Sequence, residues 1–151
     1  MIIQLFSTRL TAPAGSQQWN IGMIAQHMIA RRVCWFQVWT DGEGSPDLAP
    51  IAQRDPADYA YRPALTAIEL VSGPKSTRDM IALALTGWTP ADLARVFAPP
   101  TVLSEAEQMI FGEKTLQWIV WHTLEHEVHH GGELSPASGG YSCKQTMATS
   151  D

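Results

Sequence analysis

Residues 118–134, Trp-Ile-Val-Trp-His-Thr-Leu-Glu-His-Glu-Val-His-His-Gly-Gly-Glu-Leu, hold four of the chain's five histidines: His122, His126, His129 and His130. The stretch has no proline, and its glycines come only at 131–132. Leu116, Ile119, Val120, Leu124 and Val128 recur at three- and four-residue spacing, which predicts a helix. Residues four apart on a helix lie one above the other on the same face. His126 and His130 therefore point the same way, and two imidazoles so related can share one metal ion. His122/His126 is a geometric rival with the same spacing. Glu125/His129 is a mixed carboxylate–imidazole alternative.

Two imidazoles leave a divalent ion under-coordinated, since an open catalytic site commonly takes three protein ligands plus water. His27 is the chain's remaining histidine, and it falls in the middle of another amphipathic stretch. Packing the two helices side by side would complete a three-histidine site; a core-edge histidine hydrogen-bonded to a neighbour is the competing reading. Metal-bound imidazoles usually carry an acceptor on their other ring nitrogen, and Glu125, Glu127 and Glu133 are the nearby carboxylates. His126-Glu127-Val128-His129-His130 also matches the H-E-x-x-H pattern of zinc proteases. No histidine follows it, no acid lies between Glu133 and Asp151, and Glu133 replaces the glycine of the extended motif. We read that match as coincidence.

The rest of the chain reads as helices and connections. Asn20 is an N-cap for a helix from Ile21 to about Trp39, ended by Asp41-Gly-Glu-Gly-Ser-Pro46. Residues 41–65, with Pro46, Pro50, Pro56 and Pro63, form a long surface connection, a length uncommon unless the loop packs over something or has a function. Thr66-Ala-Ile-Glu69 is a capping box for a helix to about Leu85, in which Gly73-Pro74 predicts a kink or a break into two. Thr89-Pro90-Ala-Asp92 opens a short helix that ends before Pro99, and Ser104-Glu-Ala-Glu107 caps another turn. The histidine helix covers about 115–138. Residues 1–140 are read as one domain and 141–151 as a disordered polar tail. Trp35, Trp39, Trp118 and Trp121 are expected in the core rather than lining a pocket, and Cys34 is expected buried and inert. The pattern is all-α, without a convincing strand, and helices of this kind bury their stripes as a bundle.

Composition excludes several functions. The net charge is −5, and no run of Lys or Arg exceeds the Arg31-Arg32 pair, so nucleic acid is not an expected partner. Two cysteines do not make a disulfide framework. No stretch has the length to span a bilayer, and the N-terminus lacks a signal-peptide pattern, so a cytoplasmic protein is expected.

Two stretches carry a resemblance. Asn20-Ile-Gly-Met-Ile-Ala-Gln-His27-Met-Ile-Ala-Arg-Arg-Val-Cys-Trp-Phe resembles the second-helix motif of the DinB family, and Trp121-His-Thr-Leu-Glu-His126-Glu-Val-His-His130-Gly-Gly-Glu-Leu its last-helix motif. Trp88-Thr-Pro-Ala-Asp-Leu between them is also similar, and the likeness covers roughly residues 18–140. It implies an up-and-down four-helix bundle holding a divalent metal, zinc or nickel, on His27, His126 and His130. It implies thiol S-transfer or hydrolysis on a small molecule, with a low-molecular-weight thiol as a partner. Against the family pattern, the first helix is shortened or missing, since Pro13 and Gly15 interrupt the residues before the first motif. A homodimer that completes the bundle is therefore expected, and a non-catalytic, metal-stabilised helical dimer is the alternative to an enzyme.

Overall fold

A computed structural model describes residues 10–14, 19–40, 48–57 and 64–137. The shortened first helix falls largely on residues 1–9, and the polar tail and Cys143 on residues 138–151; all lie outside the described residues.

Helix α1 (Ile21–Val33) starts where expected, with the Asn20 side chain accepting the Met23 N–H at 2.8 Å. It continues as a π-helical segment, Cys34–Val38, in which the Trp39 N–H donates to the Cys34 carbonyl five residues back. The wider turn lets Trp35, Phe36 and Trp39 all be buried, each worth roughly 1.5–3 kcal/mol or more against exposure. Together with Met80, Phe97, Leu103, Leu116 and Ile119 they form the core, at the C-terminal end of α1. Cys34 is buried, as expected. Trp118 packs partly against this core, but Trp121, also expected there, is 56% exposed because it stands on the opposite face of its helix from Leu116 and Ile119.

The 41–65 connection is more than a surface loop. It contains a short helix, α2 (Ala49–Ala52), and is pinned to α1 by the buried Gln26, whose amide donates to the Arg54 carbonyl and accepts the Leu65 N–H at 2.8 Å. Arg54 in turn donates to the Ala64 carbonyl and to Glu69.

Helix α3 (Ala67–Gly87) opens with the expected Thr66/Glu69 capping box, but it is one helix and is not split at Gly73-Pro74. Gly73 is a packing residue: a Cβ there would lie 2.7 Å from Ile29 Cδ1. The carbonyls around the proline are held from the side, Pro74 by Arg32 and Gly73 by the Thr77 hydroxyl. The helix that Thr89-Pro90 was expected to open is only a 3₁₀ turn, Asp92–Ala94, with the Thr89 N–H and hydroxyl both donating to Asp92. After it comes β3 (Val96–Phe97), paired antiparallel with β4 (Lys114–Thr115); β1 (Pro13–Ala14) likewise pairs with β2 (Trp19–Asn20). These two-residue ladders correct the expectation of no strand, and they are too short to leave an alternating pattern in the sequence. Helix α4 (Glu105–Phe111) has the expected Ser104/Glu107 capping box, and α5 (Leu116–Ala137) is the histidine helix.

Helix α1 is central and packs on α2, α3 and α5. Trp35 meets Trp118 and His122, while His27 meets His126 and His130, so α1 and α5 run antiparallel. Ile29 meets Gly73 and Phe36 stacks on Trp88, so α1 and α3 run the same way. The fold is the expected all-α bundle, but the 41–65 connection is a crossover and not the short link of an up-and-down pair. No helix among the described residues is long and apolar enough to cross a membrane.

Candidate metal centre

The antiparallel packing of α1 on α5 sets His27 opposite the His126/His130 face. The Nε2 atoms of His27 and His126 are 2.9 Å apart, and one ligand nitrogen from each of the three imidazoles falls within 4.8 Å of the others. His27 and His130 are both 7% exposed. Burial first, then the neighbouring His27 and His130 rings, push the His126 pKa down to about 3. Burial also lowers that of His130, outweighing the upward pull of Glu133. Both rings are therefore neutral near pH 7, the form that ligates a metal.

Two of the rings are oriented from behind. His27 Nδ1 is 2.7 Å from Asp55 Oδ1, and His130 Nδ1 is 2.7 Å from Glu133 Oε2. Burial alone would raise the Asp55 pKa. Hydrogen bonds from His27 and the Ala57 N–H, with the Arg31 charge, reverse this and hold it below the ordinary carboxylate range. An ionised Asp55 accepts from His27 Nδ1, which leaves Nε2 as the ring nitrogen turned toward His126, and Glu133 stands in the same relation to Nδ1 of His130. A tetrahedral ion with metal–nitrogen bonds of about 2.0–2.1 Å holds its nitrogens about 3.3 Å apart. The separations here, 2.9 Å for one pair and none above 4.8 Å, bracket that spacing, so the three nitrogens could hold a divalent ion.

The other candidates take different places. His122 is half-buried, stacked on Trp118 with its Nδ1 3.3 Å from Glu125, and burial lowers its pKa. It stands one turn from His126 and is not among the three converging nitrogens. His129 is largely exposed; it forms a looser group with His130 and Glu133 on the outer edge of the same cluster. Glu127 of the H-E-x-x-H match is held by Arg32, whose Nε and Nη2 donate to its two oxygens. That carboxylate faces α1 and belongs to an ion pair, so coincidence is the right reading of the motif.

A cavity of about 260 Å³ adjoins the triad and is lined by all five histidines together with Trp19, Arg31, Trp35, Ala57 and Phe111. Trp19, carried by β2, packs edge-on to His27 with ring centres 5.0 Å apart. Sequence reasoning missed Asp55 and Arg31, whose Nε lies 2.7 Å from Asp55 Oδ2. Arg31 stands four residues after His27 on the same face of α1, a spacing legible in advance. Asp55 had only the unusual length of its connection to point to it.

No curated protein and no solved structure shows significant similarity to the chain. The family model described as the DinB superfamily matches residues 8–134, which include all three converging histidines. The chain belongs to the DinB superfamily.

Proposed function

We propose that the chain holds a divalent ion, zinc or nickel, on His27, His126 and His130, and that it catalyses thiol transfer to, or hydrolysis of, a small electrophile. The observation that carries this reading is the convergence of three largely buried imidazoles at the wall of a cavity, two of them fixed from behind by carboxylates. Three histidines leave a divalent ion short of its full coordination, as in hydrolytic sites, and imidazole suits zinc and nickel alike. The ion would supply Lewis acidity toward a thiol or water nucleophile. Asp55 and Glu133 hold the His27 and His130 rings through Nδ1. Trp19, Trp35 and Phe111 supply apolar lining beside the triad. His122 and His129 line the cavity outside the triad and would serve as acceptors for a proton from the nucleophile.

Elemental mass spectrometry on tag-free protein is the first test. About one divalent ion per chain, absent from His126→Ala prepared identically, is expected, together with a thiol-transfer or hydrolysis rate that requires the ion. Metal-free wild-type protein, or equal rates with and without the ion, would overturn the reading.

A second reading, a non-catalytic dimer stabilised by the ion, is favoured by one observation. Trp121, Leu124 and Val128 lie along one face of α5 and are each more than half exposed, a patch of the kind that mediates association. Light scattering on the wild type and on Leu124→Lys separates the readings: an obligate dimer with no turnover supports the second, and an active monomer removes it.

A further inference from the structure

We propose that the cavity beside the triad is a receptor for a small carboxylate with a flat apolar body, and that Arg31 binds its carboxylate. This rests on reading the cavity as the substrate site, but not on the identity of the ion.

The two neighbouring arginines of α1 are used differently. Arg32 is satisfied: Nε and Nη2 donate to Glu127, and Nη1 to the Pro74 carbonyl and the Thr77 hydroxyl. Arg31 has only its Nε against Asp55, and neither of its terminal nitrogens has a hydrogen-bond partner among the described residues. Its side chain is 18% exposed and lines the cavity. A guanidinium carries five N–H donors in a fixed fork that matches a carboxylate. Here Asp55 anchors the base of that fork and its terminal nitrogens are unbonded among the described residues; Arg31 lines both this cavity and a neighbouring one that it shares with Asp55 and Glu107.

The remaining lining agrees. Among the described residues no carboxylate lines the cavity, and Arg31 is the one fixed positive charge there, beside five imidazoles. An ion held on histidines alone would bring its whole positive charge, with no anionic ligand to offset it directly. Trp19, Trp35 and Phe111 supply flat apolar walls. A cavity of about 260 Å³ lies just below the roughly 300–1,000 Å³ typical of drug-sized ligands, so a single ring with one acid group is the right scale.

The test is calorimetric titration of the wild-type protein with benzoate and with its neutral counterpart benzamide. Tryptophan fluorescence from Trp19 and Trp35 gives a second readout, and metal content is measured on the same samples. Benzoate is expected to bind at least about tenfold more tightly than benzamide, and Arg31→Gln to erase that preference. Arg31→Lys, which keeps a cation beside Asp55 but loses the fork, should fall between them. Equal binding of the two probes, or no binding of benzoate, overturns the proposal, and this comparison holds even if Arg31→Gln does not fold. A preference that survives Arg31→Gln with metal present assigns the anion to the ion and also overturns it. An Arg31-dependent preference in metal-free protein supports this proposal while removing the metal reading. Metal without a preference does the reverse.

Discussion

Replacing Asp55 by Asn tests whether a residue of the crossover sets the properties of a site on two distant helices. Asp55 is 2% exposed and faces three donors: His27 Nδ1 and Arg31 Nε at 2.7 Å and the Ala57 N–H at 2.8 Å. Asparagine keeps one acceptor oxygen and loses the charge. A hydrogen bond to a charged group contributes about 1.5–3 kcal/mol, and breaking a buried ion pair costs about 3–5 kcal/mol. Arg31 is partly exposed, and one acceptor survives, so the expected loss in the metal-free protein is about 2 kcal/mol. The effect on the site is separate. Losing the partner behind a metal-ligating histidine typically lowers metal affinity 10–100-fold. At a fixed excess of ion, that removes a further 1.4–2.7 kcal/mol, about 1.4 per decade, of metal-linked stabilisation. Urea unfolding with and without zinc, beside competition against a chelating dye, reads both parts. A variant that loses stability but binds zinc within twofold of wild type would refute the orienting role of Asp55. Unchanged stability in the metal-free protein would refute the account of the buried carboxylate.

Gly73→Ala brings a Cβ to 2.7 Å from Ile29 Cδ1 and 3.2 Å from its Cγ atoms; overpacking of about 1–3 kcal/mol exceeds the gain of about 1 kcal/mol in helix propensity, so urea unfolding should show a net loss of about 1 kcal/mol, and a gain would mean the α1–α3 contact is looser than described. The Thr66 N–H, followed by Arg54 and the Thr66 hydroxyl, pulls the Glu69 pKa from 4.5 to about 2. Its stabilisation is therefore complete above pH 4.5 and lost as pH falls toward 2, so wild type and Glu69→Gln should differ at pH 7 and converge near pH 2; a pH-independent difference would contradict the capping box. Glu127→Gln breaks its pairing with Arg32 and should cost about 1–2 kcal/mol with metal content unchanged, whereas lost activity at full stability would restore Glu127 as a reacting group.

What was legible in the sequence was local. The caps at Asn20, Thr66–Glu69 and Ser104–Glu107 stand as expected because each is closed within four residues. Helical geometry made a shared histidine face legible but left His122/His126 level with His126/His130, and the family resemblance chose the latter. The choice of His27 came from family resemblance, since spacing cannot say which helices meet. Asp55 was hidden because its partners, His27 and Arg31, lie more than twenty residues away, and a single acid among prolines looks like any loop residue. The break that was one of the two expectations at Gly73-Pro74 does not occur, for the same reason: read alone the pair is a breaker, but beside Ile29 and Arg32 the glycine is a contact and the proline carbonyl an acceptor. The π-helical segment left no local sign, because the burial of three large aromatics on neighbouring turns drives it.

The spacing of the three histidines along the chain gives them unequal mechanical roles. His126 and His130 are one helical turn apart, so an ion gripped by these two alone closes a trivial loop, one that an unfolded chain can also close. His27 lies 99 positions from His126. A tie across about 100 residues removes on the order of 4.7 kcal/mol of freedom from the unfolded ensemble in a chain-entropy description. With the proposed ion in place, the α5 pair captures it and His27 turns that capture into a staple, a reversible counterpart of a disulfide. Ion retained by the unfolded chain on the local pair contributes nothing to the fold. The lone histidine of α1 is thus the residue through which the ion's presence is felt by the rest of the molecule.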